Sequence, residues 1–562
     1  MHKRIYVVFI VFVLGFMAVI ARLFYWQILS FDRLKGIADD QTVHASSIYA
    51  KRGRIFSSDG AAIVMNRKGY MVFVEKDKIK NQTDLIKSLS GVLTIPESTL
   101  SGKLSNSLSN WTPLVNKISE DKIKKLESST IPGLGFLEES NRYYPEGSMA
   151  ANIIGFVGKN SKGLDQGYFG LEGFYDEQLR GRDGMIKQEK DAIGNPILLE
   201  KMSELPSEDG RDLYLTIDKT VQYIAEAKLK ESIEEYQAKG GTVTIMEPQT
   251  GAILGMVSYP SYDPTDYGNY PAEFYINSVV GSSYEPGSTF KVLVMAAAIN
   301  EGVLTPDTTY NEDGPVNIGG YTIRTWNNQY NGPYTSMTDV LVHSSNVGMV
   351  FAQSKLGGEK LLSYIKNLGF GENTDIDLQD ESSPAIRSGR EWRQIDFATA
   401  SFGQGIAVTP LQMVRAVASI ANGGKLVKPY LVKKIKLSNG REIEMKPTVI
   451  RTVFKKETAT KIAQIMVHAV DDGEAHRLKP AGFNIAGKTG TAQIPIAGHY
   501  DPTKTIASFV GFAPVDNPKF IMLVTINEPS TSQWGSETAA PTFFNIAKEL
   551  FSYYGISPSS GG

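Results

Sequence analysis

The 562-residue chain contains no cysteine. That absence excludes a disulfide framework, a cysteine nucleophile and every thiolate metal site together. It also suits a chain exported across an oxidising boundary, where stray thiols would mispair. Histidine is scarce: six occur and none lies near another in sequence, so His343, beside a serine pair, reads as structural rather than as a base. An excess of either charge is missing too, with 58 Lys+Arg against 60 Asp+Glu and a formal net charge of −2. A balance this even removes any global electrostatic case for nucleic acid. No internal repeat is found, and a composition of 42% hydrophobic and 21% charged residues rules out wholesale disorder.

Long apolar runs are also missing, with one exception. Residues 5–21 (IYVVFIVFVLGFMAVIA) carry no charge, and continuing to residue 27 gives the length of a spanning helix if Arg22 snorkels and Tyr25 and Trp26 sit at the interface. The run exits through RLFYWQ with no small-x-small cleavage site, so it reads as an uncleaved anchor with the short N-terminus (1–4) inside. Everything after it is expected on the other side of the membrane.

Two soluble domains are expected. Residues 28–206 are mixed, with a strand at 70–75, a helix at 120–127 and a Ser/Asn-rich loop at 100–110. Residues 207–556 are sharper. Positions 220–238 place Val221, Ala225, Leu229 and Ile233 on one helical face, and Gly240–Gly241 are expected to stop that helix. Two hairpins follow, one at 242–257 and one at 506–525, separated by a long helical insertion, and a helix at 540–553 closes the domain before a fraying tail, 557–562. The pattern predicts an α+β domain with one antiparallel sheet between helical layers.

Three motifs carry chemistry. In YEPGSTFK (284–291), Pro-Gly precedes Ser288, and Ser288 begins an apolar helical run with Lys291 one turn on, where its amine can reach the serine oxygen. An amine deprotonates a serine only when itself neutral, a state favoured by burial and by a nearby cation. Ser-x-x-Lys alone says little. It also occurs at Ser119/Lys122 and Ser363/Lys366, which read as solvated helix faces. In HSSNVGM (343–349), Ser344 and Asn346 flank one residue and can share a cleft, the hydroxyl relaying a proton and the amide gripping a peptide. In GKTGTAQ (487–493), Lys488, Thr489, Gly490 and Thr491 suit an edge strand that binds an extended substrate and holds its carboxylate. The N–H groups of Thr491 and Ser288 are expected to form the oxyanion hole.

Taken together and in order, these motifs resemble the class B penicillin-binding proteins, the monofunctional D,D-transpeptidases of peptidoglycan synthesis. RGRIFSSDG (52–60), NRYYPEGSMAANIIGFVG (141–158), GLEGFYDEQLRGRDG (170–184), LTID (215–218), PSYDP (260–264) and SFGQGIAVTPLQM (401–413) extend the likeness over nearly the whole chain, closest to the division and sporulation branch. The resemblance implies a β-lactamase-like serine–lysine transpeptidase domain (207–556) on a pedestal (28–206) and an anchor (5–27). It implies Ser288, Lys291 and Ser344 as catalytic residues, with Asn346, Lys488, Thr489, Gly490 and Thr491 binding substrate. It further implies no cofactor and no metal. The partners would be stem peptides (a D-Ala-D-Ala donor and an amine acceptor), β-lactams, the cytoplasmic membrane, a SEDS-family glycosyltransferase and division proteins. A D,D-carboxypeptidase, a β-lactamase and a catalytically idle divisome scaffold use the same motifs. Anchor and pedestal argue against the hydrolases; intact Ser288, Lys291 and Lys488 argue against the scaffold.

Overall fold

The computed structural model describes residues 2–107, 109–128, 131–161, 163–189, 203–496 and 499–558; at 2, 37–48, 186–189, 203–204, 496 and 502 it describes backbone only. The tail expected at 557–562 lies mostly outside the described residues. Two compact units are present, Met1–Arg52 with Arg180–Gly210, and Gly53–Leu179 with Arg211–Gly562.

In the first unit, helix α1 (His2–Phe24) runs into a π-helical turn, Tyr25–Leu29. Together they are long and apolar enough to cross a membrane, and their apolar side chains are exposed throughout. The Arg22 guanidinium lies 5.3 Å from the Trp26 ring. An arginine so placed makes a cation–π contact with the indole. The unit also holds a three-stranded sheet of Val43–Ile48, Gly184–Glu189 and Ser203–Leu205.

In the second unit, strand Ala62–Glu75 pairs with Ile55–Phe56, Trp111–Ile118 and Leu134–Tyr143. The sheet continues through Asp212–Leu215, parallel to Ile55–Phe56, and on to Val432–Lys436 and Glu442–Glu444. Strands from both sides of residue 206 thus share one sheet. The strand at 70–75 and the helix Glu120–Glu127 stand where the sequence places them. The loop expected at 100–110 is instead largely helix, Glu97–Asn106. Its Leu100 and Leu104 are four apart and buried against Leu85, Leu89 and Leu93, so two leucines on one face outweigh the Ser/Asn content around them.

Around residue 220 the local chemistry is explicit. Asp218 caps helix α2 (Lys219–Glu235), accepting from Thr220 N at 2.9 Å and Val221 N at 3.1 Å. Val221, Ala225, Leu229 and Ile233 are buried as their spacing requires. The helix ends earlier than expected, and Gly240–Gly241 do not terminate it: they open strand β1 (Gly240–Met246). A Cβ on Gly241 would meet the Thr525 carbonyl at 2.4 Å, so the glycine serves sheet packing.

Strand β1 pairs with β2 (Ile253–Tyr259), and helix α3 (Lys291–Asn300), helix α4 (Asn346–Leu356), helix α5 (Pro410–Ala421) and helix α6 (Lys456–Asp471) fill the insertion. Strands β3 (Ala486–Ile496), β4 (His499–Ala513) and β5 (Phe520–Asn527) then complete an antiparallel sheet in the order β2-β1-β5-β4-β3, and helix α7 (Ala539–Tyr553) follows. Alternation along β5 assigns its two faces. Ile521 and Leu523 join the core with α3 and α5, while Phe520, Met522, Val524 and Ile526 join α2 and α7. This portion of the chain is α+β, with one five-stranded antiparallel sheet between helical layers.

Candidate functional site

The nucleophile candidate sits where three segments converge. Gly287–Phe290 forms a 3-10 turn that continues into α3, whose first nine residues are all buried. Gly287 has φ +55°, and a Cβ there would lie 3.2 Å from the Thr491 carbonyl, so the Pro-Gly step demands glycine for both conformation and space. Its N–H donates to Gly403 O at 3.1 Å, tying the turn to the 401–413 segment. Ser288 is left half-buried, lining a cleft of about 250 Å³.

Lys291 is wholly buried, one turn into the protein. Its Nζ donates to Ser344 O at 2.5 Å, Ser344 Oγ at 3.2 Å and Asn346 Oδ1 at 2.8 Å. Among the described residues no hydrogen bond joins it to Ser288 Oγ, so in this state the amine is docked on the 344–346 loop. Ser344 has φ +57°, a left-handed conformation that costs a non-glycine residue roughly 1–3 kcal/mol and persists only where surroundings enforce it. The enforcing contact is visible: Ser345 caps α4 by accepting from Gly348 N at 2.9 Å, which turns its neighbours Ser344 and Asn346 toward Lys291. Asn346 also donates to Arg324 O at 3.0 Å.

The third wall is β3, the edge strand of the sheet. Lys488 is 3% exposed, with Nζ 3.1 Å from Thr489 Oγ1. Thr489, Gly490 and Thr491 line the cleft. Gly490 is expected to let a substrate backbone approach, yet the group filling its missing side chain is the protein itself. A Cβ would meet Ser508 Oγ at 2.5 Å and the Thr289 methyl at 2.9 Å, so glycine lets the turn that carries Ser288 pack on the strand. Thr491 Oγ1 accepts from Gly535 N at 3.0 Å.

Electrostatics follow from burial. Desolvation holds the Lys291 amine well below its ordinary pKa, and the charge of Lys488 pushes it further down; Glu474 and Glu312 oppose this. Burial also lowers Lys488, to about 8, again opposed by Glu474. Burial thus moves both lysines toward the neutral amine, Lys291 well below its ordinary range and Lys488 to about 8.

All eight residues singled out from sequence gather here: Ser288, Ser344, Asn346, Thr489, Gly490 and Thr491 line the cleft, and Lys291 and Lys488 back it. The other Ser-x-x-Lys pairs do not approach it. Ser119 precedes an exposed helix start, and Ser363 and Lys366 are exposed on helix Gly358–Asn367. His343 is exposed at the end of helix Met337–Val342. Sequence reasoning misses Trp326 and Trp534, whose rings pair at 5.2 Å across the cleft lining, and Glu474 and Gln493 beside them. Lone tryptophans in loops carry no spacing signal, although Gln493 closes the GKTGTAQ string.

Comparison with known proteins accords with this arrangement. A family model described as "Penicillin binding protein transpeptidase domain" matches residues 241–548, and one described as "Penicillin-binding Protein dimerisation domain" matches 47–215. The chain belongs to the penicillin-binding protein transpeptidase family. Stage V sporulation protein D of Bacillus subtilis is 34% identical over 99% of this chain and 86% of its own length. Peptidoglycan D,D-transpeptidase FtsI of Escherichia coli is 28% identical over 96% of this chain and 90% of its own. Penicillin-binding protein 2X of Streptococcus thermophilus superposes with a TM-score of 0.75 at 26% identity, covering 91% of this chain and 80% of that one. These relatives place the penicillin-binding protein in the division and sporulation type of class B.

Proposed function

We propose that Ser288 is the nucleophile through which this peptidoglycan D,D-transpeptidase crosslinks stem peptides, with Lys291 as its base. The observation that carries the reading is the buried Lys291 amine, hydrogen-bonded to Ser344 and Asn346 behind the cleft that Ser288 lines. Neutral Lys291 takes the Ser288 proton as Oγ bonds to the penultimate D-Ala carbonyl carbon. The oxyanion is held by the N–H groups of Ser288 and Thr491. Collapse breaks the C–N bond, and the proton passes from Lys291 through Ser344 to the departing D-Ala amine. An acceptor amine then attacks the acyl-enzyme, its proton returns along the same route, and Ser288 regains its hydrogen. Cationic Lys488, with Thr489 and Thr491, holds the donor's terminal carboxylate, and Asn346 its backbone. In a β-lactam the broken C–N bond lies in a ring, so the amine stays tethered and the acyl-enzyme persists.

The domains are taken as a pedestal over 28–206 and a transpeptidase domain over 207–556. The apolar N-terminal helix fits a single-pass membrane anchor, and the reaction requires its short N-terminus to lie inside with the body outside. A SEDS-family glycosyltransferase and division proteins are the partners that anchor and pedestal would meet, on the strength of the family resemblance. Labelling with a fluorescent penicillin, wild type against Ser288→Ala, tests the assignment. The wild type acquires a covalent label and the variant none; a labelled variant overturns it.

A further inference from the structure

One buried carboxylate near the site has no part in the acyl-transfer scheme. Glu312 ends strand Thr309–Glu312 in the insertion and is fully buried. A buried carboxylate survives only where its oxygens are satisfied. Here both accept: Oε1 from Ser345 Oγ at 2.5 Å, and Oε2 from Asn331 Nδ2 at 3.0 Å. Two donors thus satisfy the two oxygens of the side chain. Ser345 is the pivot: it donates to Glu312 while accepting from Gly348 N, so the carboxylate holds the hydroxyl that caps α4. On either side of that pivot stand Ser344, with its left-handed backbone, and Asn346, the two residues that receive the Lys291 amine.

We propose that Glu312 is a positioning residue for acyl transfer. It clamps the 344–346 loop through Ser345, and so holds Ser344 and Asn346 where they receive the Lys291 amine. This inference rests on Lys291 being the base. The charged groups acting on Lys291 are Lys488 on β3, Glu474 in the segment after α6 and, least, Glu312; the half-buried Tyr310, from the same strand, neighbours Glu312 in turn. Glu312 and Glu474 favour the ammonium, whereas burial and Lys488 favour the amine. Removing Glu312's charge therefore lowers the Lys291 pKa, and the acid limb of the acylation profile, which reports base deprotonation, moves to lower pH. Loss of Lys488's proton acts on the alkaline side, so the two limbs remain separable.

The test is the second-order rate of acylation by a fluorescent penicillin from pH 5 to 10, with thermal melting of each full-length variant. Glu312→Gln retains an acceptor for Ser345 and lacks the charge. Its acid limb is expected to move to lower pH by less than about one unit, because Glu312 is the weakest of the charges acting on Lys291, with the plateau kept within several-fold. Glu312→Asp keeps the charge but withdraws it from Ser345, so its limb stays in place while the plateau drops about tenfold or more. A folded Gln variant with an unmoved limb overturns the proposal, because a merely structural role would not shift it. Should the Gln variant fail to fold, the Asp variant decides, and an unchanged plateau there overturns the clamp. Lys291→Ala is run in parallel. If that variant acylates normally, the base assignment itself fails, an outcome distinct from failure of the Glu312 inference.

Discussion

Two buried charge sites in the larger unit solve opposite problems. In the pedestal portion, Arg142 Nε lies 2.6 Å from Glu172 Oε1 with both side chains almost wholly buried, and Arg142 Nη1 donates to Asn66 Oδ1 at 2.8 Å. In the catalytic portion, Lys291 and Lys488 are equally buried, and among the described residues neither makes an ion pair. Compensated burial fixes a geometry. Uncompensated burial shifts a proton equilibrium, and that is the state a base needs. The same physical cost thus marks a scaffold in one place and chemistry in the other.

The largest effect expected from breaking this contrast is at Lys291. Replacement by Met keeps the apolar stem and removes the amine. Acylation by a fluorescent penicillin should fall by roughly 10³-fold, within the range of a lost general base. Melting temperature should hold or rise, because an unpaired buried amine no longer has to be desolvated. A large loss of stability would instead make Lys291 a structural residue like Arg142.

Next comes the reciprocal change. Arg142→Met removes the counter-ion of the buried Glu172 carboxylate, and urea unfolding should show a loss of about 3–5 kcal/mol. The acylation rate constant of the molecules that remain folded should be unchanged. Replacing both partners, Arg142→Met with Glu172→Leu, should recover much of the loss, since what destabilises is the stranded charge.

The same contrast explains which features are legible in the amino-acid sequence. The catalytic portion is legible because its chemistry needs residue types at short fixed spacing: Ser288 with Lys291, Ser344 with Asn346, Lys488 through Thr491. Its sheet is legible because β5 alternates between two cores. The helix at 97–106 is not, since Leu100 and Leu104 are its only strong apolar signal in a Ser/Asn-rich string. Glu312, Trp326, Glu474 and Trp534 are invisible for another reason. Each reaches the site from a separate segment, and a lone carboxylate or indole looks the same in sequence whether it faces solvent or the protein interior. The role of Gly490 is legible only in part: the need for close approach can be inferred, but not that the approaching group is Thr289.

The smallest effect is a pH dependence at Lys488, and its sign separates the two kinds of burial. Burial lowers this lysine to about 8 in the folded protein, against about 10.4 for an unfolded chain. Below about 8 both states hold the proton, and the folded state bears the full cost of a buried ammonium. Between about 8 and 10.4 the unfolded chain binds more protons than the folded one, so stability rises with pH across that window. Binding runs the other way, because a neutral Lys488 no longer attracts a carboxylate. Urea unfolding of the wild type minus Lys488→Met should show a stability difference that moves in favour of the wild type from pH 8 to 10. Acylation by a carboxylate-bearing β-lactam should decline over the same range, by up to tenfold per unit. If stability and acylation instead fell together above pH 8, Lys488 would be held by a compensating charge, and the two buried sites would be alike after all.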